Sequence, residues 1–142
     1  MAKVDFYLLE SGGLPARNTF ACRLVGKAHK LDHVVHVMVD NEQQLDATDK
    51  LLWTFSDDSF LAHDRWPGEH IVASVTLGLA DDGIPDAANV CINLGDTAVA
   101  TDCARVAEVV ASEATAKAAG RQHYATYRDR GWDLDTHQIA IR

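Results

Sequence analysis

The stretch from the N-terminus to Asp40 constrains the fold most. Val4 to Glu10, VDFYLLE, is dense in β-branched and aromatic residues and stops at Ser11-Gly12-Gly13, which predicts a buried strand. Behind Asn18-Thr19, Phe20, Leu24 and Ala28 recur at four-residue steps with Ala21 and Val25 beside them, the apolar face of a helix. That pattern gives way around Lys30 to Asp32, and His33 to Val39, HVVHVMV, reads as a second strand. Strand, helix, strand implies a parallel pair joined by a right-handed crossover. The expected class is therefore α/β, with a mostly parallel central sheet flanked by helices.

The remainder extends the pattern. Asp40-Asn41 is an N-cap and turn signal, and Glu42 to Trp53 is a helix that turns Leu45, Leu51 and Leu52 inward. Thr54 to His70 has the Ser, Asp, Pro and Gly content of a loop, yet keeps Phe55, Phe60, Leu61 and Trp66. Ile71 to Leu79 and Asn89 to Leu94 read as strands, the second closing at Gly95-Asp96. Ala104 to Ala111 suits strand or helix. Ser112-Glu113 favours strand, because those two residues would cap a final helix that ends at Gly131. Gly120 inside that helix costs about 1 kcal/mol relative to Ala. From Asp133 onward no period is visible, and the tail is expected to fray.

With 142 residues and no repeat or linker, residues 1–142 form one expected domain. No apolar run approaches the roughly 20 residues of a membrane span, and the N-terminus lacks the form of a signal peptide, so the expected location is the cytoplasm. The three cysteines, Cys22, Cys91 and Cys103, are odd in number and widely spaced, which favours buried free thiols. A formal charge of −8 argues against non-specific nucleic-acid binding, so any work near DNA would be done through another protein.

A βαβ start invites a nucleotide site, but the glycine loops that cradle phosphates are absent. Gly26-Lys27 lies mid-helix and is followed by Ala28, and Ser11-Gly12-Gly13-Leu14 has adjacent glycines only. The expectation is a nucleotide-binding-like fold without a phosphate loop and without a cofactor. Among seven histidines, His29, His33 and His36 are close in sequence, but His33 and His36 alternate across a strand and make poor metal ligands. A small α/β enzyme using His63-Asp64 as an acid–base pair, or Cys91 as a nucleophile, is the alternative reading.

Two features point instead to partners. Lys117, Arg121, Tyr124 and Arg128 follow i, i+4, i+7, i+11, one stripe on a helix. Residues 117 to 130 carry +3 while the rest of the chain sums to −11. Spacing alone fits an anion-docking stripe and an ordinary helix end equally well. In Leu52-Trp53-Thr54-Phe55 and onward to Phe60, Trp53 stands roughly 80° off the apolar face. It would fold back onto the sheet or protrude as an anchor for a partner protein.

FYLLE at Phe6 to Glu10, ACRLVGKAHKLDHVVHV at Ala21 to Val37, LDATDKLLWTFSDDSFLAH at Leu45 to His63, VCINLG at Val90 to Gly95 and GRQHYATYRDRGWDLDT at Gly120 to Thr136 lie in order along the chain. Together they resemble the chi subunit of the bacterial DNA polymerase III holoenzyme, with LLWTFSDDSF and HYATYRDRGW the more specific segments. The resemblance implies a non-catalytic accessory subunit. It would join the clamp loader, through the psi subunit, to the acidic, Phe-terminated tail of single-stranded DNA-binding protein (SSB). By position, Trp53 and Phe60 would face psi. Val110, Lys117, Arg121 and Tyr124 would take the SSB tail, with Arg128 further along the stripe. DNA would be reached only indirectly, and no membrane, metal or cofactor is expected. Three positions depart from the family pattern: Ala125 stands where a basic residue can occur, Asp32 where a turn Gly is common, and Ala62 where Pro is common.

Overall fold

A computed structural model describes residues 2–55, 61–100 and 103–140. The strands and helices, in order, are β1 Lys3–Leu9, α1 Gly13–Lys30, β2 Val35–Val39, α2 Glu42–Thr54, β3 Asp64–Trp66, β4 Val75–Leu79, β5 Val90–Asn93, β6 Arg105–Val110, α3 Ala114–Asp129 and β7 Asp133–Ile139. The strands form one sheet of seven in the order β3-β4-β2-β5-β6-β1-β7, and every described pairing is parallel. The mostly parallel α/β sheet read from the sequence is thus a fully parallel one.

Side-chain alternation divides the core in two. Leu9, Val35, Val37, Val39, Val75, Leu77 and Ile92 face α1 and α2, where Cys22, Val25, Leu45 and Leu52 meet them. Val4, Phe6, Met38, Cys91, Val106 and Val110 face the other way, towards Tyr127 of α3 and towards Val99 and Cys103 in the β5–β6 connection. Right-handed crossovers produce this split: the chain moves one way along the sheet through α1 and α2, and returns through α3. All three cysteines are free and buried.

The structure corrects several boundaries. α1 starts at Gly13, well before Asn18-Thr19. The apolar loop Thr54 to His70 contains β3, whose three residues are too few to carry a period. The next strand begins at Val75 rather than Ile71. The tail expected to fray is β7, a strand seven residues long that pairs with β1 from Lys3↔Asp133 to Leu9↔Ile139. Ser112 does not cap α3. Glu113 holds the N-cap position with no side-chain cap bond, and the Ser112 hydroxyl instead accepts from the Gly13 N–H at 3.1 Å.

Other signals act as read. Asn41 caps α2 by accepting from the Gln44 N–H at 2.8 Å. α3 closes on Gly131, with φ 77°, and the Gly131 and Trp132 amides return to the Arg128 and Tyr127 carbonyls. Trp132 stacks on Tyr127 at 5.1 Å, the apolar contact that usually accompanies this helix end. Asp32, where the family pattern favours glycine, has φ 64°, a left-handed conformation that aspartate tolerates better than most residues.

At the carboxyl ends of the strands, where open α/β sheets place ligands, the chain sets carboxylates of its own. Both Asp40 carboxylate oxygens accept from the Asp96 N–H, at 3.0 and 2.8 Å. A Cβ placed on Gly13 would lie 3.0 Å from a Glu113 carboxylate oxygen, so an internal anion lies against the start of α1. There it answers the helix dipole and would repel a phosphate.

Candidate functional site: a cationic groove on α3

The sequence stripe becomes one wall of a groove. β1, β6 and β7 supply the floor, because parallel register puts Val110, Leu8 and Gln138 in one cross-strand row and Phe6 beside Thr136. α3 lies over β6 and leaves its Lys117, Arg121 and Tyr124 edge open towards β7. The resulting groove has a volume of about 460 Å³. Val110, Lys117, Arg121 and Tyr124 all line it, with Phe6, Leu8 and Gly120 in its apolar part and Glu10 as a single carboxylate against the two cations.

Gly120 sets the depth. A Cβ there would lie 3.1 Å from Val110 Cγ2 and 3.3 Å from Val110 Cγ1, so any larger residue would press on Val110 where helix and strand approach closely. Tyr124 is 39% exposed and its ring lies 5.4 Å from Phe6, tilted by 52°, which closes one side of an apolar pocket. Among the described residues, neither the Lys117 nor the Arg121 side chain makes an ion pair or hydrogen bond with its own chain. A cationic, partly apolar groove of this kind suits a ligand carrying both carboxylates and a ring.

Arg128 is placed differently. It does not line the groove, and its exposed guanidinium lies 3.5 Å from the neighbouring Asp129 carboxylate. Residues that sequence reasoning missed are those the sheet brings in from afar: Phe6 and Leu8 of β1, and Thr136 and Gln138 of β7. Gly120 was visible only as a costly helix residue.

Behind the groove, α3 is held by a buried polar network. Glu108 of β6 accepts from His123 Nδ1 at 2.8 Å, from Tyr127 Oη at 2.5 Å and from Asn93 Nδ2 at 2.8 Å. Tyr127 Oη in turn accepts from the Val99 N–H, and His123 Nε2 donates to the Asp96 carbonyl at 2.8 Å. Burial pushes the Tyr127 phenol far up, with the Glu108 charge adding to it.

The second predicted surface is described only in part. Trp53, in the last turn of α2, is 42% exposed, while Leu52 beside it is fully buried. The Trp53 ring rests 4.8 Å from the His63 ring, tilted by 43°. Phe60 lies outside the described residues.

The residues of the enzyme alternative are not arranged as that reading expects. His63 does not pair with Asp64: its Nε2 meets Asp49 Oδ1 at 2.5 Å and its Nδ1 meets the Leu61 carbonyl at 2.7 Å. Asp64 accepts from the Val72 and Ala73 amides, which hold its carboxyl below the usual range. Cys91 is wholly buried, and burial pushes its thiol well up, the opposite of an activated nucleophile. Among the described residues no group of three or more His, Cys, Asp or Glu is placed to hold a metal. No described helix is long and apolar enough to cross a membrane.

Comparison with known proteins decides the family. Residues 1–135 match the family model described as "DNA polymerase III chi subunit, HolC". The chain belongs to the DNA polymerase III chi subunit family. A curated relative, the DNA polymerase III subunit chi of Pseudomonas aeruginosa strain PAO1, is 31% identical over 140 residues, covering 98% of each chain. Membership in the chi family places the chain in DNA replication, as a component of a polymerase complex.

Proposed function

We propose that this chain is a non-catalytic linker within the DNA polymerase III holoenzyme. One surface, around Trp53 and Phe60, docks the psi subunit and through it the clamp loader. The α3 groove takes the acidic C-terminal tail of SSB. DNA is reached only through these partners, and the location is the cytoplasm.

The observation that carries this reading is the groove's composition. An acidic tail ending in phenylalanine presents aspartates, a terminal carboxylate and a ring. Arg121 suits a carboxylate bidentately, Lys117 adds a mobile cation, and Val110, Leu8 and Tyr124 offer the ring an apolar seat beside Gly120. Arg128 lies outside the groove and would contribute long-range attraction only.

The test is titration of a fluorescein-labelled acidic peptide with a free C-terminal phenylalanine. Arg121→Ala is expected to weaken binding at least tenfold, about 1.4 kcal/mol, and added salt to weaken the wild type further. Equal affinity of Arg121→Ala and wild type at low salt would refute the site.

A further inference from the structure

His123 precedes Tyr124 on α3, is turned away from the groove, and is 4% exposed. Both of its ring nitrogens meet oxygens: Nδ1 faces Glu108 Oε1 and Nε2 faces the Asp96 backbone carbonyl, each at 2.8 Å. A neutral imidazole has one N–H and would leave a bare nitrogen lone pair against one of these oxygens. With Glu108 ionised, only the doubly protonated ring satisfies both. The remaining Glu108 oxygen already accepts from Tyr127 of α3 and Asn93 of β5, so the carboxyl group ties β6 to both elements.

We propose that His123 is a positioning residue for the groove: its doubly protonated ring pins α3 to β6 and to the β5–β6 connection, and the hold on an anionic peptide weakens when that proton leaves. This rests on the groove being the peptide site. The pin acts through geometry. Gly120 and Tyr124 flank His123 on the same helical turn, so the tilt of α3 sets how deep the pocket against Val110 is and where Arg121 points. A helix freed from its pin must be ordered again on binding, which costs affinity.

The groups around the ring agree. Glu108 from β6 and Asp96 from the β5–β6 connection are anionic, Tyr127 follows on α3 itself, and Arg17 from α1 lines the small cavity beside the ring. Burial alone would push His123 down, but the hydrogen bond and charge of Glu108, helped by Asp96, more than offset it, and the net direction is up from 6.5. A group raised on folding stabilises fully below its unfolded value and loses that contribution as pH rises through its folded value. The pin is therefore intact in mildly acidic solution and released on the alkaline side.

The experiment measures affinity for the acidic peptide from pH 6.0 to pH 8.5 at constant ionic strength. Ordinary lysine, arginine and carboxylate side chains hold their charge across that window, and with a pH-insensitive label on the peptide the histidines and the α-amino group are what change, so His123→Arg isolates the part that belongs to His123. The wild type is expected to bind roughly threefold to tenfold more weakly at the upper end. His123→Arg, whose permanent cation can donate to both oxygens, is expected to show no such slope. Ring ¹H–¹⁵N spectra of the wild type are expected to show His123 doubly protonated at pH 6.0. A flat wild-type profile, an unchanged slope in His123→Arg, or a singly protonated ring at pH 6.0 would each overturn the proposal. Absence of binding at every pH with a doubly protonated ring would instead refute the groove as the peptide site, and this role with it.

Discussion

Gly120 shows how one residue can carry opposite values at different levels. In an isolated helix it costs about 1 kcal/mol relative to Ala. Here the missing side chain lets α3 settle onto Val110 and opens the apolar end of the groove. Gly120→Val is therefore expected to destabilise the fold by about 1–3 kcal/mol, measured by urea unfolding, because its branched side chain meets Val110 at overpacked distance. The same variant is expected to lose peptide affinity, since it occupies the pocket. Ser112 makes a related point. Its sequence position reads as a helix cap, but its hydroxyl serves Gly13 in a different helix 99 residues away, a partner no local pattern can announce.

At the level of elements, legibility followed burial. β1, β2 and β5 were readable because strands of a parallel sheet covered on both faces are apolar runs; β6 suited a helix as well, and was read as a strand from a Ser112-Glu113 cap that α3 does not use. α1, α2 and α3 were readable from their period and from Asn41 and Gly131. β7, DLDTHQI, was not: it is an edge strand whose side chains are mostly exposed, so it has neither an apolar run nor an alternation to read. Its bonds are to the β1 backbone, supported by Lys3–Asp135 and by His137–Asp5. The groove was half legible for the same reason. Lys117, Arg121 and Tyr124 share a helical period, whereas Thr136 and Gln138 arrive by strand register. Amides of β7 that bond to β1 are expected to exchange with deuterium far more slowly than a frayed terminus would. Exchange within the dead time across 133–139 would contradict the pairing.

For the whole molecule, the sheet separates the two proposed docking surfaces. Leu45 and Leu52 anchor α2 to one face, and Tyr127 anchors α3 to the other. Trp53→Ala removes an exposed ring from the first without touching the second. It is expected to abolish co-purification with psi while leaving the circular dichroism spectrum and the affinity for the acidic peptide unchanged within about twofold, as for sites with no shared partners. Loss of peptide affinity in that variant would mean that the two faces communicate through the sheet.

The position of β1 between β6 and β7 carries a consequence for biosynthesis. The first strand to leave the ribosome waits for the last two: Val4 pairs with Val106 and with Leu134. The half of the sheet nearer β3 can assemble once β5 has been made, but the half that floors the groove waits for β6 and β7. Until then β1 offers two open hydrogen-bonding edges on an apolar ribbon, the form of nascent chain most in need of a chaperone's shelter.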